Sequence, residues 1–448
     1  MIQRKAVLLL CVVILVAGFA VKMVYAGKVA FDYSPHDLGH PSEWEDVFPG
    51  THLTYIQYLY RYRALPDMSP LDFEGQHYHP PLFHAAAALL MRAYDPINNE
   101  NLTEAFEAIQ YMNMAVSALI PAVAFLIFKK LSINGFGLIT ATAAVSFFPP
   151  FIWMGAALNN DTFMTFFASL VLYYAICWAM DQKMGTIIKL ALSLALSMLS
   201  KTSGVLIAPA LALLFLIKGF NKKGNFKKLL PQFVVFGLIS IPLGLSWVLR
   251  QYFEFGVPMN YVLHQPEGSF QDIRNCTVGQ RLGLPDILQL KSYNIMWNYP
   301  EYYSNIWGQT LFTMCLDEGI LPVVTWGSYR LVIAMYWIDS IAAILMTVCL
   351  GVSAFIKKVD PVLRIFLWTG WLTLMGSYVM FCFKEPFVCT ANFRYIGITL
   401  IMIAAGYGLC RSEVKTKKQK FLLNIAGAFI FLSGIFTSFV YLSFATKW

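Results

Sequence analysis

The chain has 448 residues, of which 58% are hydrophobic, 16% aromatic and only 13% charged, and its mean hydropathy is +0.59. A soluble protein carries about 25% charged residues; at half that fraction a chain cannot cover its surface in water, so soluble enzymes, nucleic-acid binders and disordered scaffolds are excluded. The formal net charge of +8 acquires meaning only once it is divided between the two sides of a membrane.

The first apolar segment is Ala6–Val24, preceded by Gln3-Arg4-Lys5. No small-residue cleavage site follows it, so it reads as a retained anchor with a cytoplasmic N-terminus rather than a signal peptide. Ten more segments of near-spanning length follow: Ala105–Phe128, Phe136–Trp153, Thr162–Met180, Thr186–Ser200, Gly204–Ile217, Leu230–Leu249, Leu331–Ile356, Val362–Phe383, Tyr395–Cys410 and Phe421–Leu442. The expected fold is an all-α polytopic membrane protein, one integral-membrane domain over residues 1–448 with about eleven transmembrane helices. On this drawing the cytoplasmic loops hold Lys129-Lys130, Lys183, the lysines from Lys218 to Lys228, Lys357-Lys358 and the run from Arg411 to Lys420. Against them stand only Asp181, Asp360 and Glu413. Such a bias is the positive-inside pattern of short loops, so the basic excess signals orientation and not a nucleic-acid surface.

Two outer regions are large enough to hold chemistry, residues 25–104 and 251–330, the second read as the acceptor side. The first contains six of the seven histidines (His36, His40, His52, His77, His79 and His84) among acids such as Asp32, Asp37, Glu43 and Asp46. Leu53, Ile56, Leu59 and Tyr60 recur at helical spacing within Thr51–Arg63 and predict an interfacial helix. Ala85–Tyr94, opened by Tyr78-His79-Pro80-Pro81-Leu82, is too short to cross and predicts a second one. Its two prolines suit a first helical turn, where free N–H groups are not yet needed.

Further along, Asp161 ends the run Leu158-Asn159-Asn160-Asp161 and opens a span, where a helix cap is the plainest reading. Lys201 stands between two apolar stretches, and Arg394 begins the tenth span within Asn392-Phe393-Arg394-Tyr395. A cation at membrane depth is costly and faces a partner or a polar cavity; Arg in particular suits phosphate, because its planar fork holds two oxygens. Asp339, inside a span, is equally costly and has no motif around it. Walker, Rossmann and Gly-x-Ser-x-Gly motifs are absent. Of the eight cysteines, Cys382 with Cys389 or Cys276 with Cys315 are the pairs an oxidising compartment would link.

Taken in order, these motifs resemble the GT-C class of polytopic glycosyltransferases, specifically the protein O-mannosyltransferase and aminoarabinose-transferase-like branch. The likeness rests on Ser34-Pro35-His36-Asp37, Gly50-Thr51-His52-Leu53, Leu65-Pro66-Asp67, Tyr78-His79-Pro80-Pro81, Asn159-Asn160-Asp161, Ser200-Lys201-Thr202-Ser203 and Phe393-Arg394-Tyr395. It implies an inverting transfer of a sugar from a polyprenyl-phosphate donor to a protein, lipid or glycan acceptor at the outer face of the cytoplasmic membrane. Asp37 matches the family's general base. Leu38 follows it in place of the family's usual second acid, which leaves Asp46 or Glu43 as alternatives. Substrate contacts are implied for His52, Tyr78, His79, Asn160, Asp161, Lys201 and Arg394. His79 stands at a position for donor phosphate or, with another histidine, for a divalent cation; no other cofactor is implied. A transporter or flippase of lipid-linked sugar, using Lys201 and Asp339 on its path, is the main competing reading. An O-antigen ligase or polymerase is the other, although such enzymes usually concentrate Arg and His in a late loop.

Overall fold

The computed structural model describes residues 2–33, 48–94, 102–221, 224–263, 265, 268–269, 271–284, 304–317, 329–356 and 359–444. In chain order the helices are α1 (Ile2–Lys28), α2 (His52–Tyr62), α3 (Leu82–Tyr94), α4 (Leu102–Lys130), α5 (Gly135–Phe147), α6 (Pro150–Ala156), α7 (Asp161–Asp181) and α8 (Met184–Ser200). They continue as α9 (Ala208–Phe220), α10 (Asn225–Phe255), α11 (Val278–Leu282), α12 (Ile306–Leu316), α13 (Tyr329–Ser353), α14 (Pro361–Lys384), α15 (Thr399–Glu413) and α16 (Lys417–Phe444). No strand occurs among the described residues, where extended pairing is limited to an isolated antiparallel bridge between Asp272 and Phe387.

Among the described residues nine helices are long and apolar enough to cross a membrane, and a tenth span results if the turn Val388–Ile396 and Thr399–Glu413, bent by 54°, are taken together. Every apolar segment read from the sequence coincides with a helix, and the chain is a multi-pass membrane protein. The count of eleven differs for a physical reason. The fifth segment folds as α8, which has 17 residues and is therefore only ~25 Å long against a core of ~30 Å. Prolines at 121, 231 and 242 lie inside α4 and α10; neighbouring helices and local adjustment make this tolerable in spanning helices.

The chain divides into two compact units. One comprises Val29–Val123 and Met154–Leu263, the other Met1–Lys28, Ala124–Trp153 and His264–Trp448.

In the first unit α8 packs between α7 and α10, and the short helices α2 and α3 pack on each other, with α3 also meeting α8. Phe83, Ala87 and Met91 lie along one face of α3 at four-residue spacing and are fully buried, whereas Leu89 is 70% exposed. A shared apolar cluster joins that face to Leu53 and Ile56 of α2 and to Leu158 and Phe163 around the start of α7. Each such side chain withdrawn from water contributes about 1.5–3 kcal/mol. The cluster therefore fixes both short helices at the N-terminal end of α7.

In the other unit α5 packs against α1, α15 and α16, and α13 against α15 and α16. Small residues permit close approach, as is usual for membrane helices. A methyl group on Gly18 of α1 would lie 2.9 Å from Ser146 of α5, and one on Gly406 of α15 would overlap the backbone of Leu350 in α13. Lys22 is fully buried within α1 and donates from Nζ to the Ser146 carbonyl at 2.5 Å. Asp339 of α13 accepts a hydrogen bond from the Thr437 hydroxyl of α16 at 2.6 Å, which supplies the partner that its surrounding sequence left open.

Candidate functional site

The histidine platform is built by two helix starts. Thr51 caps α2 through a reciprocal box with Thr54: its hydroxyl accepts the Thr54 N–H at 3.1 Å, and the Thr54 hydroxyl accepts the Thr51 N–H at 2.9 Å. This places His52 at the first helical position, buried. His79 takes extended backbone with φ −70° and ψ 145°, as a residue before proline must. Pro80 and Pro81 then lead into α3, and the Pro81 carbonyl accepts the Ala85 N–H at 2.7 Å.

These starts bring three imidazoles together. His52 Nδ1 and His84 Nε2 are 2.8 Å apart, and the His52 ring stacks on His84 (centroids 5.1 Å, 16° between planes) and on His79 (5.5 Å, 9°). The Tyr55 ring lies 4.2 Å from that of His84, and Tyr78 lies 4.0 Å from His79. Burial, reinforced by neighbouring His52, holds the His84 imidazole well below its ordinary pKa, and burial also lowers that of His77. The Tyr55 phenol is pushed up by burial, which outweighs the opposing effect of Arg250. Near neutral pH the His84 and His77 rings are therefore uncharged and able to donate and accept hydrogen bonds.

Beneath it, Phe83 meets Phe163 edge-to-face at 5.3 Å, two residues beyond Asp161. Asp161 and Lys201 meet directly, Nζ to Oδ1 at 2.6 Å, with Asp161 fully buried and Lys201 8% exposed. Antiparallel packing of α7 on α8 sets this contact, since the first residue of one helix lies beside the last turn of the other. Lys201 has extended backbone (φ −155°, ψ 135°); its N–H closes α8 onto the Ser197 carbonyl at 3.0 Å, and a 3-10 turn, Thr202–Ile207, leads into α9. The capping role read for the Asn-Asn-Asp run belongs to Asn159, whose Oδ1 accepts the Asp161 N–H at 3.1 Å. Asn160, the residue before the helix, makes no side-chain cap.

Two further side chains join this site that the sequence reading did not select. Trp247 donates from Nε1 to the Tyr78 carbonyl at 3.0 Å, and Arg250 donates to the Pro66 carbonyl at 3.1 Å while lying 5.1 Å over the Trp247 ring. The available signal was an indole and a guanidinium three residues apart near the C-terminal end of an apolar run, a pairing suited to the membrane interface.

Arg394 lies in the other unit. It is 7% exposed and sits in the 3-10 turn Phe393–Ile396, whose start is capped by Asn392 Oδ1 accepting the Arg394 N–H at 2.9 Å. Its guanidinium donates to the Tyr395 hydroxyl at 3.1 Å and lies 5.1 Å from that ring. Asn392, fully buried, reaches Asp317 Oδ1 at 3.5 Å, and the Phe393 N–H donates to the Thr313 hydroxyl at 2.9 Å. The sequence reading did not connect Asp317 with this turn, 75 residues away along the chain.

Asp37 and its alternatives Glu43 and Asp46 lie outside the described residues, as do His36, His40 and His264. Among the described residues no group of three or more His, Cys, Asp or Glu is arranged to hold a metal ion; His52, His79 and His84 engage one another as stacked rings. All eight cysteines are free thiols, so neither expected disulfide forms.

Residues 79–247 match the family model described as dolichyl-phosphate-mannose-protein mannosyltransferase. No curated relative matches the sequence. Among solved structures the chain is similar to the oligosaccharyltransferase of Archaeoglobus fulgidus in complex with zinc and sulfate, with 12% identity, a TM-score of 0.54, and coverage of 97% of this chain and 53% of that one. It is also similar to that enzyme tethered by a disulfide to an acceptor peptide, at 11% identity, a TM-score of 0.51, and 99% and 56% coverage. ArnT from Cupriavidus metallidurans in the apo state gives 13% identity, a TM-score of 0.39, and 89% and 77% coverage. The chain spans about half the length of the oligosaccharyltransferase, and at these identities that likeness concerns the fold alone. The family match begins at His79 and includes Asn160, Asp161 and Lys201, and the fold is shared with the oligosaccharyltransferase over nearly the whole of this chain.

Proposed function

We propose that this protein is an inverting glycosyltransferase. It moves a sugar from a polyprenyl-phosphate carrier to a protein, lipid or glycan acceptor at the extracytoplasmic face of the cytoplasmic membrane. The N-terminus lies inside, and the outer regions 25–104 and 251–330 serve the catalytic platform and the acceptor. The observation that carries this reading is the buried Asp161–Lys201 pair, which lies within the segment matching a mannosyltransferase family and at the end of α7 where the imidazole platform is fixed.

Breaking a sugar–phosphate bond requires a stabilised phosphate leaving group and a base to take the proton from the acceptor hydroxyl. Arg394 offers a planar cation for the phosphate. Its Tyr395 contacts hold the guanidinium in place. Asp37 is the base: its carboxylate accepts the acceptor proton as the acceptor oxygen bonds to the anomeric carbon and the carrier leaves as polyprenyl phosphate. Asp161 holds Lys201 in place, and Tyr78 and His79 offer ring faces to the substrate. No step is assigned to a metal.

Lipid profiling of cells with and without the protein tests the proposal. A polyprenyl-phosphate sugar accumulates when the protein is removed, wild type clears it, and Asp37→Asn does not. An unchanged lipid profile contradicts the reading, and full clearance by Asp37→Asn moves the base to Asp46 or Glu43.

A further inference from the structure

Asn160 is fully buried, and neither its carboxamide oxygen nor its nitrogen has a hydrogen-bond partner among the described residues. Its neighbour Asn159 performs the turn-closing role at the start of α7, so the Asn160 amide serves no capping function. Other uncommitted polar atoms lie close along the chain: Asn159 Nδ2, Thr165 Oγ1 one turn into α7 on the Asp161 face, and Ser203 Oγ two residues past Lys201. A buried polar group left unpaired is destabilising. Four side chains in that condition, each within four residues of a member of one ion pair along the chain, point to a place that a polar ligand completes.

The chemistry of the set selects the ligand. Lys201 meets a carboxylate at 2.6 Å, so the pair carries no net charge, and every other member is neutral. The carrier's phosphodiester is an anion that brings only acceptors; it would set its oxygens against the Asn160 carbonyl and the Asp161 carboxylate. A sugar brings hydroxyls, each a donor and an acceptor, and amides and hydroxyls match these in both senses. We propose that Asn160, Thr165 and Ser203, neighbours in the chain of the Asp161–Lys201 pair, form a subsite for the uncharged hydroxyls of the transferred sugar rather than for the carrier phosphate. In it the Asn160 carboxamide bridges a vicinal diol, its oxygen accepting from one hydroxyl and its N–H donating to the next. The inference rests on the lipid-linked donor reading and assigns this corner the sugar.

Binding to the purified full-length protein in detergent separates the two. The probes are undecaprenyl phosphate and undecaprenyl-phosphate mannose, glucose, galactose and arabinose. Wild type is expected to bind at least one sugar-bearing lipid about tenfold more tightly than the bare phosphate, the scale of one well-placed hydrogen-bonding group. Asn160→Leu removes that advantage and leaves bare undecaprenyl phosphate within about twofold of wild type. Because it deletes an unpaired buried amide, Asn160→Leu melts at or above the wild-type temperature without ligand, which a merely structural asparagine would not do. Thr165→Val keeps the shape, removes one hydroxyl and gives the same pattern more weakly, and it serves if Asn160→Leu fails to fold. The proposal is overturned if either variant weakens bare phosphate as much as the sugar-bearing lipid, or if wild type gains nothing from any of the four sugars. Binding of none of the five lipids by wild type overturns the donor reading itself and the subsite with it.

Discussion

Lys201 and Arg394 each interrupt an apolar helical run, and the protein meets the two charges differently. At Lys201 the break separates α8 from a 3-10 turn, and a buried carboxylate faces the ammonium at 2.6 Å. At Arg394 the break is a 3-10 turn before α15, where the Tyr395 phenol receives the guanidinium by hydrogen bond and ring face. A carboxylate gives the ammonium a point contact of opposite charge, whereas the phenol receives the planar guanidinium both at its hydroxyl and across its ring face. The two cations, equivalent in the sequence, thus suit different tasks. In the proposed reaction Lys201 is held by Asp161, and Arg394 offers the planar fork that suits an anionic leaving group.

The largest expected effect that tests this contrast is on stability. Lys201→Met removes the lysine partner of the buried Asp161, a change that costs about 3–5 kcal/mol, seen as a large fall in melting temperature of the purified protein. The double variant Lys201→Met/Asp161→Leu recovers most of that loss but not transfer. If the single variant melts like wild type, the pair is not the buried neutral unit described. Arg394→Lys should act on chemistry instead. It keeps the charge but loses the planar fork, so donor-dependent transfer drops by about tenfold or more with little change in melting. A stability loss as large as that of Lys201→Met would erase the distinction.

A smaller effect concerns the platform. His84 and His77 are held below the ordinary imidazole value, so between their folded values and that of the unfolded chain, about 6.5, the unfolded state binds more protons. Stability is therefore fully present above pH about 6.5 and declines as pH falls below it. His84→Phe should flatten that decline in a melting series from pH 8 to about 5. A melting temperature that rises on acidification would contradict the lowered values of His84 and His77.

Much of this arrangement was legible in the amino-acid order. Spans need long apolar runs whatever their neighbours, so each predicted segment coincides with a helix. Periodicity and the Pro80-Pro81 pair are local signals, and α2 and α3 follow them. The meeting of Asp161 with Lys201 depends on α7 and α8 packing antiparallel, a consequence of the short connection at Gln182-Lys183. What stayed hidden is long-range or subtle. Asn159 and Asn160 are identical in type, and only their backbone distinguishes the cap from the uncommitted amide. Trp247 reaches Tyr78 across 169 residues, and Asn392 reaches Asp317 across 75. The shortfall in span count comes from α8, whose 17 residues satisfy an apolar pattern without the length to cross alone.

The central claim is that sugar leaves its lipid carrier here. Incubating the purified protein with an acceptor extract and a polyprenyl-phosphate sugar labelled in the sugar tests it most directly. The account predicts protein-dependent release of bare polyprenyl phosphate, with the label on acceptor in the opposite anomeric configuration and neither product formed by Asp37→Asn. Label that remains on the lipid, or merely changes membrane side while still attached, would contradict it and identify a carrier instead.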